Sequence, residues 1–446
     1  MVNVTNQDYY KRLVEYPTSN GSINQLEVIT NKIAADPITR RAVATTRVPE
    51  IDLYRNEPNR LEEIQLRGYV ENGDLILNMY SNWGSDEYDI EEMDQLHDML
   101  VKRVDQKIGL NVKKGALRSE SLGFDTEMRG ESKIPSFRIT GKNIPEAYWK
   151  EIYKVENSGY ELRTQYDRVN SKGEYIDPLG KDSRAIVLIT EPLSEPRYPV
   201  LSFSERGKYI AEFLGVKNHL VVPYEVLINC INKNEKVPTE WPYLYHGRMA
   251  ETRKDDGTKF NQLERMLDIL SENSFSLNAI ASTRVPEIDL FLKEDLPCLG
   301  QIQLIVENHF NEEIKLNMIA RWRSRAGFSA WGDNLIGITN LFQRLGEGLE
   351  TRIGKKVNLG YYVESNGSLH TYGLDKIKNG LNNFFTTYPT VDSFVSKAWT
   401  SEDAKDLVIM NDLMMLKGES TWNFPPESIK LIEQIEEDFS SGKFKP

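Results

Sequence analysis

TRVPEIDL occurs at residues 46–53 and again at residues 283–290, and the similarity continues on both sides of it. Upstream, YYKRL (9–13) aligns with YHGRM (245–249), INQLEVITNKI (23–33) with FNQLERMLDIL (260–270), and ITRRAVATT (38–46) with FSLNAIAST (275–283). Downstream, LEEIQLRGYVENGDLILNMY (61–80) aligns with LGQIQLIVENHFNEEIKLNMI (299–319), and MDQLHDMLVKRVDQKIG (93–109) with GITNLFQRLGEGLETRIG (337–354). The chain therefore reads as an internal duplication. In each copy, apolar residues at helical intervals predict a helix ahead of the octapeptide. A β-branched, alternating stretch then predicts a strand running into it. After it, two alternating runs about a polar turn predict a hairpin, and an amphipathic helix closed by glycine follows.

The 446 residues are about three domains' worth of chain, ample for a large core without disulfide staples. A net charge of -12 argues against a general binder of nucleic acid or anionic membrane, which needs excess Lys and Arg to neutralise phosphates. An anionic ligand must then be held by a local arginine cluster. The two cysteines, Cys230 and Cys298, stand in no Cys-x-x-Cys spacing, so neither a disulfide framework nor a cysteine zinc site is expected, and no metal is assigned. The reducing cytoplasm suits such a chain. No basic start with an apolar core opens it, and no apolar run reaches the roughly 18 residues of a membrane span.

Between the copies, about residues 132–241 occur once. There IPEAYWKEIYKVENSGY (144–160) predicts a helix stopping at Gly159, AIVLI (185–189) a strand, and YIAEFLG (209–215) a further helix. The tail after Tyr372 is rich in Lys, Asp and Asn and closes with amphipathic PESIKLIEQIEEDF (426–439). No chemistry is assigned to it.

Cys298 lies in DLPCLGQIQL (295–304), just before a predicted strand, with Gln303 five residues on. A thiolate is the most nucleophilic common side chain, and a nearby cation is the usual way to favour it. Cys230, flanked by core-like residues in VLINCINKN, reads as a packed apolar cysteine. Downstream come RSRAGFSAWGDN (323–334) and SLHTY (368–372). Pro297-Cys298, Gln303, Arg323-Ser324, Asn334 and His370-x-Tyr372, in that order and at these local spacings, resemble thymidylate synthase and its relatives the pyrimidine nucleotide hydroxymethylases. The resemblance covers about residues 132–372. It implies an α+β fold, a mixed sheet with flanking helices, present as a partial degenerate copy (1–128) and a full copy (129–375) forming an intramolecular pseudo-dimer, with a C-terminal extension (376–446). Further homo-oligomerisation is compatible with it.

That family carries Ser-Arg-Arg ahead of its Trp-Asn-Pro strand, and its two arginines reach across a dimer to grip a nucleotide phosphate bound by the other subunit. In the second copy the position reads Ser276-Leu277-Asn278, and in the first Thr39-Arg40-Arg41. Conversely, Arg60 of the first copy stands opposite Cys298 and Gly84 opposite Arg323. The resemblance thus implies that the first copy donates Arg40 and Arg41 to the phosphate while the second carries the reaction. Guanidinium forks suit a phosphate dianion because they bind it bidentately and stay charged. Arg47 and Arg284 occur in both copies and read as structural pairs for Glu50 and Glu287.

By the same resemblance, Cys298 adds to pyrimidine C6, making C5 nucleophilic toward a one-carbon unit from 5,10-methylenetetrahydrofolate. Gln303, Arg323, Ser324, His370 and Tyr372 then bind the substrate. The carboxamide of Asn334 can accept from N3–H and donate to O4, which suits uracil and hence dUMP; Asp333 beside it leaves the register open. Glu212 and Tyr245 are the candidates for moving a proton from C5, with Tyr243 close behind. The family's folate-binding aspartate position reads Ala326, Pro-Cys-His reads Pro297-Cys298-Leu299, and the chain ends in SSGKFKP where the synthases have a short apolar tail. Water excluded less well favours a hydroxymethyl over a methyl product, so dUMP hydroxymethylation is expected, with thymidylate synthesis as the alternative. A catalytically silent nucleotide-binding relative is the third reading.

Overall fold

The computed structural model describes residues 8–18, 21–54, 61–68, 74–81, 87–121, 124–129, 133–164, 166–201, 205–238, 241–254, 258–292, 296–307 and 313–443. Arg60 and Gly84 lie outside them. Two mixed sheets organise the described residues. The N-terminal sheet runs Val43–Thr45, Leu61–Gly68, Asp74–Ser81, Lys113–Ser121, Phe124–Arg129 in spatial order. Its successive pairs are antiparallel, antiparallel, parallel and antiparallel. The C-terminal sheet runs Ile280–Ser282, Leu299–Glu307, Glu313–Trp322, Lys356–Thr371, Gly180–Ile189, Ser136–Gly141. It has the same succession of senses and then one more parallel pair. A parallel pair needs a long crossover. Helix Glu87–Ile108 supplies it in the first sheet and Gly332–Ile353 in the second, each followed by a glycine at positive φ, Gly109 and Gly354.

Local chemistry repeats as well. Helices Gln25–Ala35 and Gln262–Glu272 are capped by Asn24 and Asn261, whose side chains accept first-turn backbone N–H groups. The strands expected over 38–46 and 275–283 form only over Val43–Thr45 and Ile280–Ser282. The preceding residues are held in turns, Thr39 N–H on Asp36 O and Ser276 N–H on Asn273 O, each 3.0 Å. Gln25 exchanges two hydrogen bonds with the backbone of Thr45, and Gln262 does so with Ser282. In each octapeptide a proline opens a one-turn helix, Pro49–Asp52 or Pro286–Asp289. The closing aspartate folds back onto the backbone N–H of Val48 or Val285 at 2.8 Å. It also takes an arginine, Arg12 on Asp52 and Arg248 on Asp289.

The two octapeptides meet at the seam between the units. Arg47 Nη2 donates to Ile280 O at 3.0 Å. Arg284 forms a buried ion pair with Glu63 of the N-terminal unit at 2.7 Å. The expected pairing of Arg284 with Glu287 is therefore corrected: its guanidinium points across the seam, and Glu287 accepts from Tyr224 instead. The last leucines trade places, Leu53 packing in the C-terminal core and Leu290 in the N-terminal one.

The single-occurrence segment builds as expected: helix Ile144–Ser158 ends at Gly159, and Gly180–Ile189 and Arg206–Phe213 follow. The tail adds helices to the C-terminal core, where Phe384, Phe394, Leu413, Ile432 and Phe439 are buried. Cys230 is buried in helix Tyr224–Lys233. No described helix is long and apolar enough to cross a membrane.

Because Leu53 and Leu290 are only 1% and 4% exposed, each Leu→Ala change leaves a cavity in the other unit's core. We expect each to cost about 2–5 kcal/mol and to lower the denaturant midpoint of both units together. Loss of structure confined to the unit carrying the mutation would contradict the exchange.

Candidate functional site

The site grows from the hairpin of Leu299–Glu307 and Glu313–Trp322. Cys298 precedes the first strand and Arg323 follows the second, and the ladder continues one step beyond both, with Arg323 N–H on Cys298 O at 2.9 Å. The Arg323 side chain, 6% exposed, turns back over the cysteine. Its Nε donates to Pro297 O at 2.9 Å, Nη2 to Leu296 O at 2.6 Å, and Nη1 to Arg40 O at 3.2 Å. Nη2 also lies 3.6 Å from Cys298 Sγ. These partners are neutral carbonyls and a thiol, so the positive charge is solvated without being neutralised by a carboxylate. Gln65 of the N-terminal unit ties the crossing, donating from Nε2 to Arg40 O at 3.2 Å and to Arg323 O at 3.1 Å.

Arg40 is brought to this corner by the turn ahead of Val43–Thr45. Its Nε and Nη2 donate to Asp182 Oδ2 at 3.2 and 3.0 Å. Arg67 adds a third donor to the same oxygen at 2.7 Å. Burial works against charge on Asp182, but Arg67 and Arg40, aided by the Ser368 hydroxyl, outweigh it and hold the carboxyl below its usual range. Arg40 Nη1 makes no hydrogen bond among the described residues. Arg41 reaches the Tyr166 hydroxyl at 3.5 Å. Tyr166 packs edge-on against Tyr372, and Tyr372 against His370, with centroids 5.4 and 4.8 Å apart. Burial raises the Tyr372 hydroxyl to about 12, with Arg40 opposing and Tyr166 and Cys298 adding to the rise. Burial, then Arg40, presses His370 well below the ordinary histidine range against the pull of Asp182.

On the other side of the cysteine stand Tyr243 and Tyr245, ring centroids 5.6 Å apart, with Tyr245 edge-on to Trp322. Burial raises both hydroxyls, and Cys298 contributes to each rise. Asn334 opens the helix Gly332–Ile353, accepts from the Tyr209 hydroxyl at 2.8 Å and donates to Ala330 O at 2.6 Å. Gln303, fully buried, donates to Leu277 O at 2.9 Å, while its Oε1 has no partner among the described residues. Ser324 is buried next to Arg323. Glu212, on the helix Arg206–Phe213, pairs with Lys217 at 3.2 Å; burial raises its carboxyl despite that lysine. Lys217 in turn lies over Trp241 and over Trp422 of the tail.

The structure thus gathers Cys298, Arg323, Arg40, His370, Tyr372, Tyr243 and Tyr245 about one corner, with Glu212 and Asn334 reaching it through Tyr209, whose hydroxyl is raised by burial and by Tyr245 and Glu212. Sequence reasoning missed Tyr209, Asp182, Arg67 and Gln65. Asp182 and Tyr209 sit in the unrepeated segment in no motif; the buried alternation around Gln65 and Arg67 carried the only signal. Among the described residues, no group of three or more His, Cys, Asp or Glu is arranged to hold a metal ion.

No family model matches the chain. Over 136 residues it is 32% identical to a protein of Methanocaldococcus jannaschii described as "Putative thymidylate synthase", a stretch of 29% of this chain and 55% of that one. The match thus spans about half the length of that relative. Among solved structures, thermostable thymidylate synthase A from Bacillus subtilis aligns with 54% of this chain and 84% of its own, at 17% identity and a TM-score of 0.37. By the sequence match, this stretch of the chain is similar to a thymidylate synthase-like protein.

Proposed function

We propose that the chain transfers a one-carbon unit to C5 of a pyrimidine deoxynucleotide, dUMP, and that its repeated octapeptide marks a duplication in which the N-terminal copy completes the C-terminal copy's site. The observation that carries this reading is the Arg323 guanidinium, which touches the Cys298 sulfur and the Arg40 carbonyl of the other copy at once.

Sulfur addition to C6 breaks the C5–C6 double bond and moves its electron pair toward C5 and O4, turning an unreactive carbon into a nucleophile. The Arg323 donor at Cys298 is placed to stabilise the sulfur anion, which is the reactive form. Its charge, not neutralised by a carboxylate, together with Arg40 Nη1 and Arg41, suits a phosphate dianion. Asn334 uses one lone pair and one N–H within the protein, leaving one of each for uracil N3–H and O4. Asn334, which accepts from the Tyr209 hydroxyl, is our choice over Asp333 as the base-reading residue. Glu212, whose carboxyl burial raises above its usual range, is suited to hold and release a proton, and Tyr209 and Tyr245 are proposed to line the way to the ring.

Methylenetetrahydrofolate, when bound, supplies the one-carbon unit. Ala326 offers no carboxylate to its pterin, but Glu151 lies beside the next residue: its Oε1 is 3.0 Å from where a Cβ on Gly327 would stand, and neither oxygen has a partner among the described residues. Glu151 therefore fits the donor edge of the ring. Burial and Glu364 push its carboxyl well above the usual range against the pull of Arg325, which disfavours its charged form and makes it a weaker grip than an ionised aspartate. We accordingly favour a hydroxymethyl product, in which water completes the C5 group.

Incubation with dUMP and methylenetetrahydrofolate, followed by mass analysis, should show the nucleotide gaining CH2O. Gain of CH2 would identify a thymidylate synthase, and an unaltered nucleotide a silent binder. Cys298→Ala should abolish turnover and retain dUMP binding by calorimetry. Arg40→Ala should weaken dUMP binding about tenfold or more, through one charge-assisted contact; unchanged affinity removes the N-terminal copy from the site. With Glu212 acting as a base, the rate should climb with pH through a pKa above the ordinary carboxylate range, and Glu212→Gln should erase that limb of the profile.

A further inference from the structure

Asp182 is fully buried and joins three side chains from both units. Besides Arg40 and Arg67, it accepts from the Ser368 hydroxyl, whose Oγ is 2.9 Å from both carboxylate oxygens. Strand register sets Asp182 opposite His370, and Ser368 lies two residues before the histidine on the same face. His370 Nδ1 is 3.2 Å from Ser368 Oγ and 3.5 Å from Ser368 O. Its Nε2 is buried with no partner among the described residues.

These contacts allow one assignment of protons. An ionised carboxylate only accepts, so the single Ser368 hydrogen points to Asp182. Ser368 Oγ then faces Nδ1 as an acceptor, as does the Ser368 carbonyl, so Nδ1 must bring the hydrogen. The imidazole is neutral, because burial and Arg40 disfavour its charged form; Nε2 is left with a lone pair. We propose that Asp182 is a positioning residue that, through Ser368, fixes the hydrogen of His370 on Nδ1 and presents Nε2 to the ligand as an acceptor. The ligand atom meeting Nε2 must then be an O–H or N–H donor, and an ether or a phosphate ester oxygen there is rejected. The same carboxylate holds Arg40, so one buried charge orients both a phosphate-binding arginine and the histidine. That this donor is the sugar 3′-hydroxyl rests on the function proposed above; the position of the hydrogen does not.

The chain has five histidines, so nitrogen NMR of the histidine-labelled full-length protein can be assigned by loss of one signal set in His370→Gln. The wild type should show His370 protonated at Nδ1 with a pyridine-type Nε2. Ser368→Ala, which leaves both arginine ion pairs in place, should turn this into a mixture of tautomers. Asp182→Asn should do the same if it folds, since it leaves two buried arginines without a counter-charge. A wild-type His370 protonated at Nε2, or an unchanged pattern in Ser368→Ala, overturns the relay. In calorimetry the wild type should prefer dUMP to 3′-O-methyl-dUMP by about tenfold or more, a difference that narrows in Ser368→Ala. Equal affinities in the wild type overturn the acceptor role. Failure of both nucleotides to bind, with the tautomer as stated, supports the relay and counts against the proposed function alone.

Discussion

A guanidinium caged by carbonyls is the constraint around which this molecule is arranged. Arg323 directs its donors to Leu296, Pro297 and Arg40, and its Nη2 also lies 3.6 Å from the Cys298 sulfur. Carbonyl dipoles solvate the cation without cancelling it, which keeps a field at the sulfur that a carboxylate would remove. The neighbouring buried arginines are disposed otherwise: Arg40 and Arg67 on Asp182, Arg284 on Glu63, Arg325 on Glu364. Holding one cation unneutralised among several neutralised ones requires carbonyls from two units at fixed positions, and the seam provides them.

The two units that meet at the seam share a set of backbone devices. Asparagine caps, the glutamine that clasps a strand end, and the aspartate that closes the one-turn helix all recur at matching positions. They fix where the chain goes. The side chains of the proposed site are distributed unequally upon this common frame, arginines at 40 and 41 in one unit and the cysteine in the other.

Much of this was legible in the sequence because it depends on local spacing. Alternation, glycine stops and the octapeptide located the hairpins and crossover helices. Cys298 and Arg323 meet because their strands pair, so their place on either end of a hairpin was readable. Asp182 and Tyr209 were not: they reach the corner through strand order and helix packing across more than a hundred residues, which leaves no periodic trace. Arg284 was misassigned for a related reason. Within the octapeptide Glu287 is its neighbour, and only the apposition of the two repeats brings Glu63 closer. The tail's closing amphipathic stretch announced an apolar face without naming the core that receives it.

The crossed leucines, Leu53 and Leu290, have a further meaning for how such a chain can vary. When two identical subunits meet about an axis, any substitution enters their interface twice and both faces must tolerate it. Here each face is encoded separately, so a change at residue 53 leaves residue 290 as it was. One face is thereby free to drift without the other, while the exchanged leucines keep either half from being discarded.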